Sequence, residues 1–232
     1  MHTRSPRRQG GVALIVVLLF LVAIVGVTVW TVRQSMLSEG MARNQLDQEV
    51  ARQAAEAALR DAERDIRLGT PPPGVACTRP AAYRNNAKLI MPAFAADCAQ
   101  GLCYKADDAY KTVSWDSASS DASLAEPWWP TGKNGQWNDD AASKPPSGSC
   151  AFTGAVPLGT YTGIKPLPSV SKQPEYLIEV FKRKDVRINA AESMVTSTGE
   201  NASQWSTMYR ITARGFGYSQ MTQVVLQSIF FP

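Results

Sequence analysis

Histidine is almost absent from this chain: the one copy is His2. Everything beyond it therefore lacks the partner for a His-dependent nucleophilic triad and any histidine metal site. No G-x-S-x-G, P-loop or G-x-G-x-x-G fingerprint occurs either. A carboxylate dyad needs only two acids that meet in space, but no pair is singled out. Asp139-Asp140 beside Asn138 lacks the regular ligand spacing of a calcium loop. The reading is a protein that is not an enzyme and takes no metal or cofactor. A clustered basic face is missing as well. The formal charge of +4 rests on Arg4, Arg7 and Arg8; without them 21 Lys and Arg face 20 acids. That balance gives no reason to expect nucleic acid as a partner.

Two further absences coincide. No acidic residue precedes Glu39, and no proline lies between Val12 and Leu68. Val12 to Trp30 reads VALIVVLLFLVAIVGVTVW, with Thr28 its one weakly polar member. As a helix this run spans ~28 Å, about the hydrocarbon thickness of a bilayer. Trp30 suits the interfacial aromatic belt, and the three preceding arginines predict a cytoplasmic N-terminus with everything after Arg33 outside. The apolar run is too long for an ordinary secretory signal, and Arg33-Gln34-Ser35 is no A-x-A cleavage site. Beyond it, Leu37, Met41, Leu46, Val50, Ala54, Ala57, Ala58 and Ile66 form a helical stripe. Charges occupy the other face, with Arg52–Glu56, Glu56–Arg60 and Glu63–Arg67 as opposite pairs one turn apart. Gly69 and Pro71-Pro72-Pro73 stop the helix. One helix from about Val12 to Leu68, greasy then amphipathic, cannot satisfy itself and needs neighbours along its length. A stalk on a simple membrane anchor is the plainer alternative, although the stripe keeps no strict heptad.

Four cysteines, Cys77, Cys98, Cys103 and Cys150, all follow the apolar segment, none in a C-x-x-C pair. That predicts disulfides in an oxidising compartment. Three pairings are open; we favour Cys98–Cys103 around Gly101, with Cys77–Cys150 tying a long insertion. Tyr176–Lys182, Met208–Ala213 and Thr222–Phe231 read as strands, the last two joined by a glycine-rich connection of hairpin length. The expected fold is α+β: a long N-terminal helix packed on a C-terminal antiparallel sheet. Between Trp115 and Trp137 lie four tryptophans. Trp128-Trp129 could be a contact surface for a partner, but packing within a loop-rich insertion is the favoured role. Asn201-Ala202-Ser203 matches a glycosylation acceptor by pattern only.

Arg7-Arg8-Gln9-Gly10-Gly11 followed by Val12-Ala13-Leu14-Ile15-Val16 resembles the class III signal of type IV pilins and pseudopilins. Met41-Ala42-Arg43-Asn44, Gln53-Ala54-Ala55-Glu56-Ala57-Ala58-Leu59 and the C-terminal Tyr209–Gly215 and Val224–Ser228 are similar to PilX-type minor pilins. Asp97–Cys103 is a weaker likeness, and Tyr104–Lys172 carries none. The resemblance implies a prepilin peptidase that cuts between Gly11 and Val12, or alternatively between Gly10 and Gly11, and methylates the new N-terminus. It implies a pilin-like fold with a leader (1–11), a transmembrane and filament-core half-helix (12–32), an amphipathic half-helix (33–69) and an extracytoplasmic head (70–232). Major pilins carry a glutamate early in the mature helix, thought to pair with the terminal amine of the subunit ahead; Val16 stands there (Ile15 in the other register). The expectation is a subunit at or near the filament tip. Its partners would be other minor pilins and the major pilin through the helix, the peptidase, the inner membrane before assembly, and a tip adhesin. Its head would lie in the periplasm and then on the extracellular pilus. The rivals are a K-type pseudopilin of type II secretion, disfavoured by length, and a membrane-anchored periplasmic binding or adhesion module.

Overall fold

The computed structural model describes residues 11–68, 72–73, 75, 77–85, 88–105, 125–139, 150–184 and 205–231. The chain divides into two compact units, Met1–Leu46 and Asp47–Pro232. One helix, α1 (Val12–Arg67), contributes to both. The sequence stripe placed its end at Leu68, one residue further than it runs.

In the first unit α1 carries an 18-residue stretch of mean hydropathy 3.3, long and apolar enough to cross a membrane. Its few polar groups are turned back onto the helix. The Thr28 hydroxyl donates to the Val25 carbonyl at 2.9 Å, and Thr31 donates to Val27 at 2.8 Å. Such back-bonding leaves no hydroxyl bare where water is absent. Trp30 Nε1 likewise donates to Gln34 Oε1 at 3.2 Å.

The second unit begins inside the helix and is built on a mixed sheet. Its strands are β3 (Leu102–Cys103), β4 (Val156–Pro157), β5 (Glu175–Lys184), β6 (Trp205–Phe216) and β7 (Gln223–Phe230). The order is β3-β5-β6-β7, with β4 on β5. The expected antiparallel sheet is present as β5, β6 and β7, in the registers Ile178↔Ile211 and Ile211↔Ser228. The short β3 runs parallel to β5, which makes the whole sheet mixed. It is held where the Ile178 amide donates to the Gly101 carbonyl at 2.9 Å. A separate two-residue hairpin pairs β1 (Arg84–Asn85) with β2 (Lys88–Leu89).

Alternation along β5 and β6 gives the sheet two distinct faces. Tyr176, Ile178 and Val180 with Tyr209, Ile211 and Ala213 point into the main core, where they meet Ala58, Ala62 and Ile66 of α1. The buried stripe of α1 is Ala51, Ala54, Ala55, Ala58, Asp61, Ala62, Asp65 and Ile66. Of the stripe read from the sequence, Ala54, Ala58 and Ile66 are buried here and Val50 is half-buried, while Leu37, Met41 and Leu46 belong to the first unit and are exposed. The buried face is mostly alanine because the sheet comes close. A Cβ on Gly215 of β6 would fall onto the Ala51 carbonyl and the Ala55 amide, with Ala55 Cα at 2.9 Å. Strand and helix touch backbone to backbone there, so only alanine fits the facing side. Opposite charges on the free face follow expectation at Arg52–Glu56 (3.3 Å) and Arg60–Glu56 (3.4 Å). Arg67 instead lies over the Phe230 ring, 4.7 Å from its centre.

Candidate functional site

Two places could carry function: the start of α1 and the cover on the outer sheet face. α1 begins at Val12, and its first turn has no acidic residue. Val16 is exposed, as are Val12, Leu14 and Ile15, giving an unbroken apolar surface. Gly11 precedes the helix, whereas Gly10 lies outside the described residues. Among the described residues this end therefore offers no carboxylate to pair with an amine.

The distal part of α1 is fastened by three aspartates in different ways. Asp47 accepts from the backbone of Tyr218 (2.5 Å) and Ser219 (3.4 Å), and from the Thr222 hydroxyl (2.5 Å), in the β6–β7 connection. The Thr222 hydroxyl, with help from the two amides, holds its carboxyl below the usual carboxylate range. Asp61 is wholly buried and accepts from the Gly159 amide at 2.7 Å and from the Thr162 hydroxyl. Burial nevertheless pushes its pKa up, the two donors only partly opposing. Asp65, also wholly buried, receives the Arg79 guanidinium through Nη2 at 2.6 Å and Nε at 3.0 Å. The Tyr176 hydroxyl donates to it at 3.0 Å, and Arg84 adds a longer contact at 3.3 Å. Burial opposes the charge on Arg79, but Asp65 more than offsets it and keeps the guanidinium protonated.

The four cysteines form Cys77–Cys150, separated by 73 residues, and Cys98–Cys103, separated by 5. The second closes the tight loop before β3, where Gly101 has φ +77° and a Cβ would strike the Val156 side chain. Cys98 and Cys103 pack with Trp137, Ala155 and Leu177 in a small second core on the outer face.

That core is roofed by residues 125–139. Glu126 is the clasp: it accepts from Lys105 at 3.0 Å and from Arg210 at 2.9 Å, while Arg210 also holds Glu179 at 2.6 Å. Trp137 Nε1 donates to the Trp128 carbonyl at 3.0 Å, and the Arg214 guanidinium lies 4.8 Å from the Trp137 ring centre. Arg214 pairs with Glu175 on β5 and, at 2.6 Å, with Asp139. Trp129 and Trp137 are buried and serve as core. Trp128 is half-buried and forms one wall of a cleft of about 380 Å³, with Pro130, Trp137, Gln223 and Val225 and the Arg214–Asp139 pair. Among the described tryptophans of this stretch, Trp128 is the half-buried one at the cleft, whereas Trp129 and Trp137 are buried. Trp115, Asp140 and the Asn201-Ala202-Ser203 triplet lie outside the described residues. Asp139 is taken up by Arg214 and the Thr131 hydroxyl. No group of three or more Cys, His, Asp or Glu suited to a metal occurs among the described residues.

A helix that is membrane-grade at one end and packs at the other on a hairpin sheet with a disulfide-closed loop defines a pilin-like α+β protein. Residues 9–60 match the family described as PilX N-terminal, and residues 99–232 match the family described as Type IV pilus assembly protein PilX C-term. The chain belongs to the PilX family of type IV pilus minor pilins, structural subunits that act with other pilus components. The C-terminal match includes residues 104–172, where the sequence on its own showed no likeness. No curated protein and no solved structure matched it significantly.

Asp47, Asp61, Asp65 and Arg79 escaped the sequence reading, and Gly215, read there as part of the glycine-rich connection, lies inside β6. A signal was present for two of them. Asp61 and Asp65 fall in phase with Ala51, Ala54, Ala58 and Ala62, so a helix face rich in alanine already contained them.

Proposed function

We propose that this minor pilin is processed between Gly11 and Val12 and helps to initiate or cap pilus assembly at or near the filament tip, with residues 70–232 outside the cytoplasmic membrane. The observation that carries the reading is a helix start of uninterrupted apolar surface, with no acid before Glu39. A carboxylate at Val16 would cost several kcal/mol in hydrocarbon unless neutralised. A subunit without one needs no amine ahead of it, while its own amine on Val12 can still receive a carboxylate from the next subunit. The arginines of the leader and the disulfides of the head support the assignment of sides. Matches at both ends of the chain to PilX support a pilus in preference to a secretion pseudopilin.

Processing is read directly from mass. Protein recovered from its own cells is expected to begin at Val12 with a methylated amine. A chain beginning at Met1 would mean a permanent anchor and end the proposal; one beginning beyond Trp30 would mean a secreted protein. Position is read from Val16→Glu. The variant is expected to enter the shaft more often and to lose initiation, scored as subunit distribution and pilus number. Unchanged incorporation together with unchanged pilus number would remove the case for the tip.

A further inference from the structure

Arg214 alternates along β6 with Ala213 and Gly215, which face α1, and it pairs in register with Val225 of β7. The cleft these two residues share with Trp128 is therefore on the side of the sheet that α1 leaves free. Its volume of about 380 Å³ is near the lower end of the ~300–1,000 Å³ range of small-ligand pockets. Trp128, Pro130 and Val225 give it apolar walls, and its open polar groups are acceptors. The Gln223 amide uses its Nε2 to donate to the Gln220 carbonyl at 3.0 Å, and no described residue donates to its Oε1. Asp139 accepts from Arg214 Nη1 at 2.6 Å and from the Thr131 hydroxyl, yet its side chain is still 41% exposed. A carboxylate has about four lone-pair sites, so acceptor capacity remains. Arg214 is not a free donor, because each of its three nitrogens already meets Glu175 or Asp139. Trp128 Nε1 is a buried donor without an acceptor among the described residues.

We infer that this cleft binds a neutral carbohydrate, with a pyranose ring stacked on the Trp128 indole and hydroxyls donating to Gln223 Oε1 and the Asp139 carboxylate. The other ligand classes fail on charge or on hydrogen bonding. An anion such as phosphate brings acceptors to a site whose open groups are acceptors. A cation is attracted by an indole face, but Arg214 stands in the cleft wall and Lys172 joins the same network through Glu175 at 3.6 Å. With Glu175 and Asp139 those two cations sum to zero, so no net negative charge draws a third. A wholly apolar group would strip water from Asp139 and Gln223 and give no donor in exchange. A sugar meets each condition. One face of its ring carries C–H groups, which suit the electron-rich face of an indole, and the hydroxyls on its rim donate as well as accept. Its oxygens are also the kind of acceptor that Trp128 Nε1 lacks. The inference does not depend on where in the filament the subunit sits.

The test uses the full chain purified in micelles of a detergent without a sugar headgroup. The probes are methyl glycosides and disaccharides of glucose, galactose, mannose and N-acetylglucosamine, with glucuronic acid and glucosamine as the anionic and cationic controls. Saturation-transfer NMR is expected to show contact with at least one neutral probe and with neither control. Trp128→Ala is expected to weaken that binding at least about tenfold. That substitution also removes part of the roof, so Gln223→Met, at an exposed position on β7, keeps the inference falsifiable. It is expected to weaken binding about fivefold, the share of one neutral hydrogen bond, with near-ultraviolet circular dichroism unchanged. No transfer to any neutral probe, preference for a charged control, or unchanged affinity in Gln223→Met overturns the inference. The first outcome is what a cleft filled by a partner protein's side chain would produce.

Discussion

Gly215→Ala is expected to destabilise the second unit by about 3 kcal/mol or more, and Gly215→Val to prevent its folding. The sign runs against backbone propensity. Alanine is ordinarily the better residue inside a strand by about 0.5–1 kcal/mol, because glycine loses more freedom on folding. Gly215 has no left-handed backbone to protect, so the effect is steric alone. A methyl group here would occupy the same space as the Ala51 carbonyl and the Ala55 amide. Backbone atoms of a packed helix cannot swing aside as the end of a flexible side chain can, so helix and strand must separate. Separation uncovers the whole Ala51-Ala54-Ala55-Ala58 stripe. Gly217→Ala meets the Asp47 carboxylate, which can rotate at the loss of its loop contacts, and the Asp47 backbone carbonyl at 2.7 Å; with one helix backbone atom in the way, and not three, it should cost less than Gly215→Ala. Gly132→Ala meets nothing within 4 Å and serves as the control. Thermal unfolding followed by tryptophan fluorescence would rank the three. Equal effects at 132 and 215 would refute the close approach.

Asp65→Asn is expected to cost about 3–5 kcal/mol, the usual loss when one partner of a buried ion pair is removed. The Arg79 side chain is 1% exposed and Asp65 0%, so without the carboxylate a guanidinium is stranded in the core. Among the described residues it would keep the neutral Asn oxygen, the Gln100 carbonyl at 3.1 Å and the face of the Tyr161 ring at 3.9 Å, none of which carries a compensating negative charge. One helical turn earlier, Asp61→Asn should be nearly neutral at pH 7, within ~1 kcal/mol. Its partners are an amide and a hydroxyl: Asn Oδ1 can accept from Gly159, and Asn Nδ2 can donate to the Thr162 oxygen. The pH profiles should diverge too. Burial raises the Asp61 pKa in the fold, so its ionisation opposes folding. That penalty is fully present above the raised folded value and gone below the unfolded value of ~3.9. As pH falls through this window wild type regains stability from Asp61, and Asp61→Asn does not. Urea unfolding midpoints between pH 7 and pH 4 test both statements. Equal losses for the two asparagine variants would show that buried charge does not distinguish the sites.

Much of this architecture was legible because it rests on period. The helix announced itself through an apolar run without proline and then a 3.6-residue repeat; β5, β6 and β7 announced themselves through alternation and a glycine-rich connection. Of the stripe read from the sequence, Ala54, Ala58 and Ile66 are buried, but Ala51, Ala55 and Ala62 were missed because small residues carry little hydrophobic signal. They are small because the sheet comes so close at Gly215. Burial of Asp61 and Asp65 was hidden for a related reason. Their partners, Arg79, Tyr176, Gly159 and Thr162, are remote in sequence, and no local rule connects them. The two-residue strands β3 and β4 carry no period at all; each is fixed by pairing with β5. In the tryptophan-rich insertion, burial of Trp129 and Trp137 followed from their chemistry, whereas the cleft beside Trp128 depends on β7, which arrives nearly a hundred residues later.

The three aspartates of α1 also set a timetable for folding. Asp47 waits for Tyr218, 171 residues onward, Asp65 for Tyr176, 111 residues onward, and Asp61 for Gly159, 98 residues onward. Contacts this remote close slowly, because the chain entropy of each loop is spent before any contact repays it. Along the chain α1 precedes every strand that covers it. Until those strands are in place, its alanine face and the Asp61 and Asp65 carboxylates lack the partners they have in the fold. The packing of α1 is therefore completed by the segments furthest from it in sequence, and the closing hairpin is the step that locks it.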